Sequence, residues 1–330
     1  MKISVNLRER LEGSLDDDMT FLKQLGVNLV NISAMPRNQA TGNPIQNLKN
    51  LVKKIRDARL KAHLLRFTIV DALLNKPEGE EQLKTACKLI KFAGKASIPL
   101  IWVWPLGIRQ GPALVPGRYR RAHRGGYEMS AWSAELMREE LAKRDLTSRW
   151  AHHFTKKISS EQYVSNLVMA LQRIVPVAED SGVKLMLHFD DPPVLDEENL
   201  LPGIINPMMI NRVFEAVPSE NLGILFCVGT RYESGVDVYD QIRLFGSNNK
   251  IFHVHFRNVR GTIPSTGEYE EVAVDDGDMD MFMILKALKA TGYDGSLSPD
   301  HPMILVDDEK RQASLAYHVG YIKALLSALS

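Results

Sequence analysis

The stretch NLGILFCVGTRYESGVDVYDQIRLFGSNNKIFHVHFRN, residues 221–258, decides the fold of this chain. Its two ends, 221–228 and 250–258, are short runs rich in β-branched and large apolar residues, and a longer amphipathic segment lies between them. Strands that are joined through a crossover helix run parallel in a sheet. The stretch therefore predicts a strand, helix, strand unit.

The same alternation of short strands and longer helices continues over the whole chain. Strands are predicted at eight places: 2–7, 28–33, 61–66, 98–105, 183–189, 221–228, 250–258 and 295–301. A helix candidate follows each strand, and eight such units are the number that closes a barrel. The sequence predicts an α/β protein with a single (β/α)₈ TIM-barrel domain over residues 1–330. An open doubly wound sheet is less favoured, because residues 7–13 hold one glycine where that fold has a glycine-rich phosphate turn.

One segment, residues 106–160, interrupts the alternation after the fourth predicted strand. It is a long insertion, and within it residues 130–143 predict a helix. Loops that follow the strands of such a barrel lie on its active-site face, and insertions of this length are usually functional. A lid over the site, a contact between copies of the chain and a solvated surface excursion all remain open.

Charge and cysteine content restrict the kind of partner. The chain has 330 residues, and 41 Lys and Arg against 40 Asp and Glu give a net charge of +1, so no bulk field favours nucleic acid or an anionic membrane. The two cysteines, Cys87 and Cys227, are too few for a disulfide framework. Arg8 lies where a signal peptide would be apolar, and no run of 18 apolar residues occurs. We expect a cytoplasmic protein with a small-molecule partner.

The last four predicted strands each end in a residue type that can ligate a metal. These residues are His188, Cys227, His255 and Asp300. Taken singly, each has an ordinary structural explanation, because a buried thiol, a core histidine and an aspartate that caps a helix are all common. Four polar residues at one level of a barrel would be costly to bury without a charge to bind. Together they favour a metal site.

Strand periodicity indicates that these residues converge, because alternate side chains of a strand point into the barrel. On the seventh strand the pattern predicts that Phe252, Val254 and Phe256 point outward, so His253 and His255 point inward. His255 is the one nearer the mouth. Two imidazoles, a thiolate and a carboxylate suit Mn²⁺, Fe²⁺ or Zn²⁺ better than Mg²⁺ or Ca²⁺. A closed structural zinc site is the competing interpretation.

Five ordered motifs surround these ligands: HFDDPP at 188–193, FCVG at 226–229, VHFRN at 254–258, DGDMDM at 276–281 and SPDH at 298–301. In these motifs the chain resembles the mannonate dehydratase family, metal-dependent barrel enzymes of the xylose-isomerase-like superfamily. The resemblance covers roughly residues 180–325. It implies metal ligation by the same four residues, His188, Cys227, His255 and Asp300. It also implies Mn²⁺ or Fe²⁺ as cofactor.

The resemblance implies an activity and further site residues. The activity is loss of water from a sugar acid such as D-mannonate, which gives 2-keto-3-deoxygluconate. His301 and Tyr317 are implied as the acid and base groups, in either assignment. The resemblance also suggests that the chain forms a homo-oligomer.

A sugar acid also needs cations and hydrogen-bond donors around it. Arg257, Asn258 and Arg8 are the candidates for direct substrate contact. Asp190 and Asp191 are expected to hydrogen-bond substrate hydroxyls or to orient the metal ligands.

The chain departs from the family pattern in two places, which concern substrate identity. Residues 5–8 read VNLR where the family has Trp-Tyr-Gly, and residues 269–274 read YEEVAV where members usually carry histidines. One alternative is a sugar isomerase or epimerase of the same superfamily, although those enzymes typically use carboxylate ligands. A metallohydrolase is less favoured, because residues 4–6 lack a His-x-His motif. A non-catalytic sugar-acid-binding paralogue would not need the Asp300 and His301 pair.

Overall fold

Eight parallel strands close into a barrel in the computed structural model of this chain, which describes residues 1–7, 15–34, 44–104, 117–143, 159–189, 191–193 and 207–329. The strands, in chain order, are β1 Lys2–Asn6, β2 Leu29–Ser33, β3 Lys61–Thr68, β4 Leu100–Trp104, β5 Arg118–Ala122, β6 Glu128–Ser133, β7 Lys184–Leu187, β8 Leu222–Cys227, β9 Ile251–His255, β10 Asn258–Arg260, β11 Glu268–Val272 and β12 Ser296–Ser298. The barrel order is β1-β12-β9-β8-β7-β4-β3-β2, so the predicted TIM barrel is confirmed.

Helices follow strands of the barrel, and some of the helices follow strands outside it. In chain order they are α1 Leu15–Gln24, α2 Pro44–Asp57, α3 Val70–Leu73, α4 Gly79–Lys95, α5 Ala134–Lys143, α6 Ser160–Ser181, α7 Pro207–Ala216, α8 Val228–Glu233, α9 Val238–Gly246, α10 Ile263–Thr266, α11 Met281–Ala290 and α12 Gln312–Ala328. Among the helices described, none is long and apolar enough to cross a membrane.

Side-chain caps set where several of these helices begin. The Ser159 side chain accepts a hydrogen bond from the Gln162 amide, and Asp280 accepts from the amides at the start of α11. Such bonds satisfy amides that have no partner inside the first turn. The main core lies between the barrel and its helices, and β8 is buried along its whole length because both of its faces are covered.

The inside of the barrel holds an apolar cluster and a polar chain. The chain runs from His63 through Ser296 and His253 to Ser298, with N···O distances of 2.8, 2.7 and 3.0 Å. His63 on β3 and Ser296 on β12 are separated by two strands in the barrel order, so their bond crosses the lumen. His253 therefore points inward, as its position in the strand predicts.

Phe252 points to a different place from the one that strict alternation predicts. It packs in the inner cluster with Met186 and Leu225 rather than on the outer face. The register between β8 and β9 shifts at this point, because Ile224 is opposite Ile251 but Leu225 is opposite His253. A bulge of this kind leaves one residue outside the alternation.

A second sheet lies beside the barrel, and the sequence analysis does not predict it. Its four antiparallel strands have the order β10-β11-β6-β5, so chain from after β4 pairs with chain from after β9. The expected helix over 130–143 is only partly correct. Residues 130–133 belong to β6, because they pair with β5 on one side and β11 on the other, and the helix begins at Ala134. The rest of the 106–160 insertion, apart from 117–143 and 159–160, lies outside the described residues.

The partly buried lumen histidine His63 should make stability depend on pH. Burial, with a smaller contribution from Lys2, lowers its pKa from 6.5 to about 4. Between these pH values His63 binds a proton in the unfolded chain but not in the folded chain. His63 therefore lowers the free energy of unfolding as the pH falls from 6.5 to 4. We expect the melting temperature of His63→Gln to fall less than that of the wild type between pH 6.5 and pH 4.5, measured by calorimetry. Equal falls would contradict the assignment.

Candidate metal and catalytic site

Three side chains from three neighbouring strands meet at the mouth of the barrel. His188 follows β7, Cys227 ends β8 and His255 ends β9, and their ligating atoms lie within 4.8 Å of one another. Asp300, two residues beyond β12, places Oδ2 3.2 Å from Nδ1 of His255. The structure thus brings together the four residues that strand parity selects.

The register of the barrel explains why these groups stand at one level. Cys227 on β8 is opposite His255 on β9, and His255 is opposite Ser298 on β12. Asp300 follows Ser298 by two residues and keeps its direction. The ring of Trp102 on β4 lies 5.5 Å from the ring of His188 and 5.3 Å from that of His255, so it forms the apolar wall of the cluster.

The donor set fits a transition-metal ion. His188 Nδ1 donates to the carbonyl of Phe189, which leaves Nε2 for an ion. His255 Nδ1 is buried and makes no hydrogen bond with the described part of the chain, although Asp300 is near. Imidazole nitrogen, thiolate sulfur and carboxylate oxygen around one point are ligands for Mn²⁺, Fe²⁺ or Zn²⁺.

Nearby charges favour the ligating forms of the sulfur and the carboxylate. Burial alone raises the pKa of Cys227, but Arg257 and hydrogen bonds from His188 and His255 outweigh it and hold the pKa well below its usual value. Burial also opposes ionisation of Asp300, yet His255 and His301 lower its pKa well below 3.8. Metals bind the deprotonated forms of both groups.

His301 lies beside the ligand cluster in an unusual backbone conformation. Its φ of 47° is left-handed, which for a residue other than glycine is sparsely populated. This turn lets Asp300 and His301 face the same side, where a regular strand would separate them. His301 Nδ1 donates to Oε1 of Glu271 at 2.7 Å, and Nε2 lies 3.7 Å from Oδ1 of Asp300. Burial alone lowers the pKa of His301. The nearby carboxylates of Asp300 and Glu271 outweigh this effect and raise the pKa to about 10.

Arg257 connects the elements of the rim from a buried position. Its guanidinium group makes a bidentate contact with Glu233, and it lies 3.1 Å from Asp191 and 3.5 Å from Asp300. It also donates to Thr230 at 3.0 Å. Burial lowers the pKa of Arg257, but the surrounding anionic groups raise it well above its ordinary value. The sequence predicts that this group contacts substrate, and the structure places it in internal ion pairs beside the ligand cluster.

Asp191 is held by three donors and belongs to the rim network. Its Oδ2 accepts from Arg257, and its Oδ1 faces Arg118 at 3.4 Å and the hydroxyl of Tyr269 at 3.2 Å. Burial raises its pKa, but the two arginines lower it, to about 2. Asp191, Glu271 and His301 also stand close enough to share an ion. However, these donors already satisfy Asp191, and His301 already donates to Glu271.

The remaining sequence candidates are placed elsewhere or are not described. Asn258 is predicted to contact substrate, and in the structure its amide makes four bonds to backbone: it donates to Val274 and Met279 and accepts from Val259 and Met279. Arg8 and Asp190 lie outside the described residues.

Tyr317 lies on α12 near the surface, with 42% of the side chain exposed. Its hydroxyl lies 3.3 Å from Nη2 of Arg124. Its side chain lines the same small cavity as His301, so the two stand on one side of the rim.

Sequence reasoning missed the residues that hold the site together. They are Trp102, Arg118, Glu233, Tyr269 and Glu271. Trp102 lies on barrel strand β4 and Glu233 ends α8, whereas Arg118, Tyr269 and Glu271 come from the second sheet. The available signal was the segment 268–272, in which Tyr269 and Val272 are residue types that are common in strands.

The closed (β/α)₈ barrel carries nitrogen, sulfur and carboxylate donors at the carboxyl ends of its strands. This arrangement is typical of barrel proteins with a transition-metal site. Sequence comparison identifies the family. The family model of D-mannonate dehydratase (UxuA) matches residues 136–329, more than half of the chain. The chain belongs to the D-mannonate dehydratase family.

Individual relatives agree with this assignment over different lengths. A mannonate dehydratase of Thermotoga maritima is 36% identical over 162 residues, which cover 47% of this chain and 43% of the relative. One from Brachyspira hyodysenteriae is 28% identical over 299 residues, which cover 80% of this chain and 79% of the relative. The chain thus spans less than half of the Thermotoga protein that it matches.

Solved structures support the fold. The mannonate dehydratase from Streptococcus suis superposes with a TM-score of 0.82 at 23% identity, covering 100% of this chain and 96% of that one. A D-tagatose 3-epimerase-like protein gives a TM-score of 0.61 at 18% identity, covering 100% of both chains. The fold is shared with xylose-isomerase-like barrels.

Metal retention should depend on Cys227 and not on the other cysteine. After loading with Mn²⁺ and dialysis, we expect about one ion per chain in the wild type and a large loss in Cys227→Ala, because one anionic ligand is removed. The matched control is Cys87→Ala, since Cys87 lies on α4 away from the rim. Elemental analysis measures the content. Equal content in both variants would contradict the site.

Gly229 should be needed for the position of Arg257. A Cβ at residue 229 would lie 2.6 Å from Cζ of Arg257, so the guanidinium group would have to move. We expect Gly229→Ala to lower stability by about 1–3 kcal/mol and to weaken Mn²⁺ binding. The control is Gly320→Ala, because that helical glycine has open space around it. Chemical denaturation and metal titration measure the two effects, and a Gly229 variant that behaves like the control would refute the packing argument.

Proposed function

We propose that this protein is a metal-dependent dehydratase, a carbon-oxygen lyase that removes water from a sugar acid such as D-mannonate to give 2-keto-3-deoxygluconate. The observation that carries the proposal is the convergence of His188, Cys227, His255 and Asp300 beside His301 at the barrel mouth. Membership in the D-mannonate dehydratase family supports it. We propose the four residues as the ligands of Mn²⁺ or Fe²⁺, with Zn²⁺ as a further candidate.

The reaction makes two demands on the protein. A base removes the proton from the carbon beside the carboxylate, and an acid protonates the hydroxyl that leaves from the next carbon as water. The resulting enol then tautomerises to the 2-keto acid. A bound divalent ion would supply the positive charge that stabilises the enediolate formed by proton removal.

His301 is the group that we propose for one of these proton steps. It stands beside Asp300, and 24% of its side chain is exposed, so a bound substrate can reach its ring. Tyr317, which lines the same cavity, is proposed for the other step. Which of the two is the base stays open.

The buried network sets the positions of these groups. We propose that Arg257 orients Asp300 and Asp191, since it lies against both carboxylates. Direct substrate contact by Arg8 and Asp190, a cytoplasmic location and a homo-oligomer stay predictions.

The proposal is tested by an assay for 2-keto-3-deoxy acids over a panel of aldonates, with protein loaded with Mn²⁺ or Fe²⁺. We expect turnover of at least one aldonate, and a loss of about 100-fold or more in kcat for His301→Gln with the metal retained. His63→Gln is the control, because His63 lies inside the barrel away from the rim. Tyr317→Phe compared with Tyr321→Phe, one turn further on α12, tests the second group.

The outcomes separate the alternatives. Bound metal with epimerisation or isomerisation of free sugars, and no turnover of aldonates, would favour a sugar isomerase of the same superfamily. Aldonate binding without turnover would favour a non-catalytic paralogue. A His301→Gln variant with full dehydratase activity would refute the mechanism.

A further inference from the structure

Glu271 is a buried acid on β11 of the second sheet, and its carboxylate meets a histidine of the barrel. The residue is 2% exposed, and its Oε1 accepts from His301 Nδ1 at 2.7 Å. Among the hydrogen bonds of the described residues, this is the one that its side chain makes. Burying a carboxylate is costly unless it is paired, so the contact is the reason why the acid can be buried there.

The bond decides how the His301 ring is presented. An ionised carboxylate only accepts hydrogen bonds, so Nδ1 carries the shared hydrogen and the ring cannot turn over without losing it. Nε2 is then the nitrogen on the side of Asp300, 3.7 Å away. His301 lies in a left-handed turn beyond the end of β12, so no strand pairing fixes it.

The neighbouring acid in the sequence has a different environment. Glu270 faces the other side of β11, where it contacts Arg121 at 2.8 Å and His123 at 3.6 Å. Adjacent side chains of a strand point to opposite faces. The two acids therefore form a matched pair, of which one reaches His301.

We propose that Glu271 is a positioning residue for His301, which fixes the ring orientation and the Nδ1 proton so that Nε2 is presented to the substrate. The inference rests on the proposed function and adds a residue from the second sheet to it. The hydrogen bond to His301 is the contact through which Glu271 would act, so its effect should pass through that ring. Removing it should slow the proton step and leave substrate binding in place.

A double-mutant cycle tests this dependence. We expect Glu271→Ala to lower kcat about 10- to 100-fold with little change in KM and in bound Mn²⁺. Glu271→Gln should lose less, because its amide oxygen can still accept from Nδ1. The double variant Glu271→Ala with His301→Gln should be no slower than His301→Gln alone. Glu270→Ala, the matched control, should keep wild-type kcat.

A second measurement does not depend on turnover. With ¹⁵N-labelled histidine and metal-free protein, His301 is assigned by the signal that is missing in His301→Gln. We expect an Nδ1-bound hydrogen with slow exchange in the wild type and in Glu270→Ala, and its loss in Glu271→Ala. Circular dichroism confirms that each variant is folded.

Several results would overturn the inference. One is a Glu271→Ala variant with a lower melting temperature but an unchanged His301 signal and kcat, which would make the contact merely structural. Another is a double variant slower than His301→Gln, because Glu271 would then act independently. If no aldonate is turned over, the proposed function fails, while the nitrogen signals still decide whether Glu271 fixes the ring.

Discussion

The buried guanidinium group of Arg257 is the constraint on which the rim of this barrel depends. It is 1% exposed and contacts Glu233 on α8, Asp191 after β7 and Asp300 after β12. A buried charge is costly unless it is paired with opposite charges, so the acidic partners are held where the planar guanidinium group places them. Arg257 lies two residues after His255, which connects the network directly to a strand that carries a proposed ligand.

The barrel and the second sheet contribute different groups to this rim. The barrel strands supply His188, Cys227 and His255, whose register is fixed by parallel pairing. The second sheet supplies the groups that hold the others in place, with Tyr269 on Asp191 and Glu271 on His301. Since β6 pairs with β11, two segments that are distant in the sequence form one sheet. Side chains on paired strands are positioned more precisely than side chains on separate loops.

The barrel and the ligand cluster could be predicted from the sequence because both rest on local periodicity. Alternation of strand and helix is visible in each unit, and strand parity places His255 and Cys227 on one face. Prediction fails where a contact depends on distant chain. The bulge at Phe252 is set by its pairing with β8, and residues 130–133 become a strand only because β11 lies beside them.

Substrate-facing residues were the least predictable part, for a related reason. Asn258 lies in a family-like motif, yet its amide is used by the backbone of the loop 274–279, which only the folded chain brings near. The neighbouring Arg257 is close to the ligand cluster, but its guanidinium group is paired with the buried acid Glu233. Residue type and position along the strand indicate what can reach the rim, whereas the partners available there decide what each group does.

The charges of the rim explain why a divalent ion suits it. Three neighbouring acids face cations: Glu233 faces Arg257, Asp191 faces Arg118 and Glu271 faces His301, and burial raises the pKa of Glu233 to about 8. After these pairs, two anionic ligands remain, the thiolate of Cys227 and the carboxylate of Asp300. The imidazoles of His188 and His255 bind a metal as neutral ligands, so they add no charge. An ion of charge +2 would therefore neutralise the cluster, and its soft sulfur and nitrogen donors favour a transition metal over Mg²⁺.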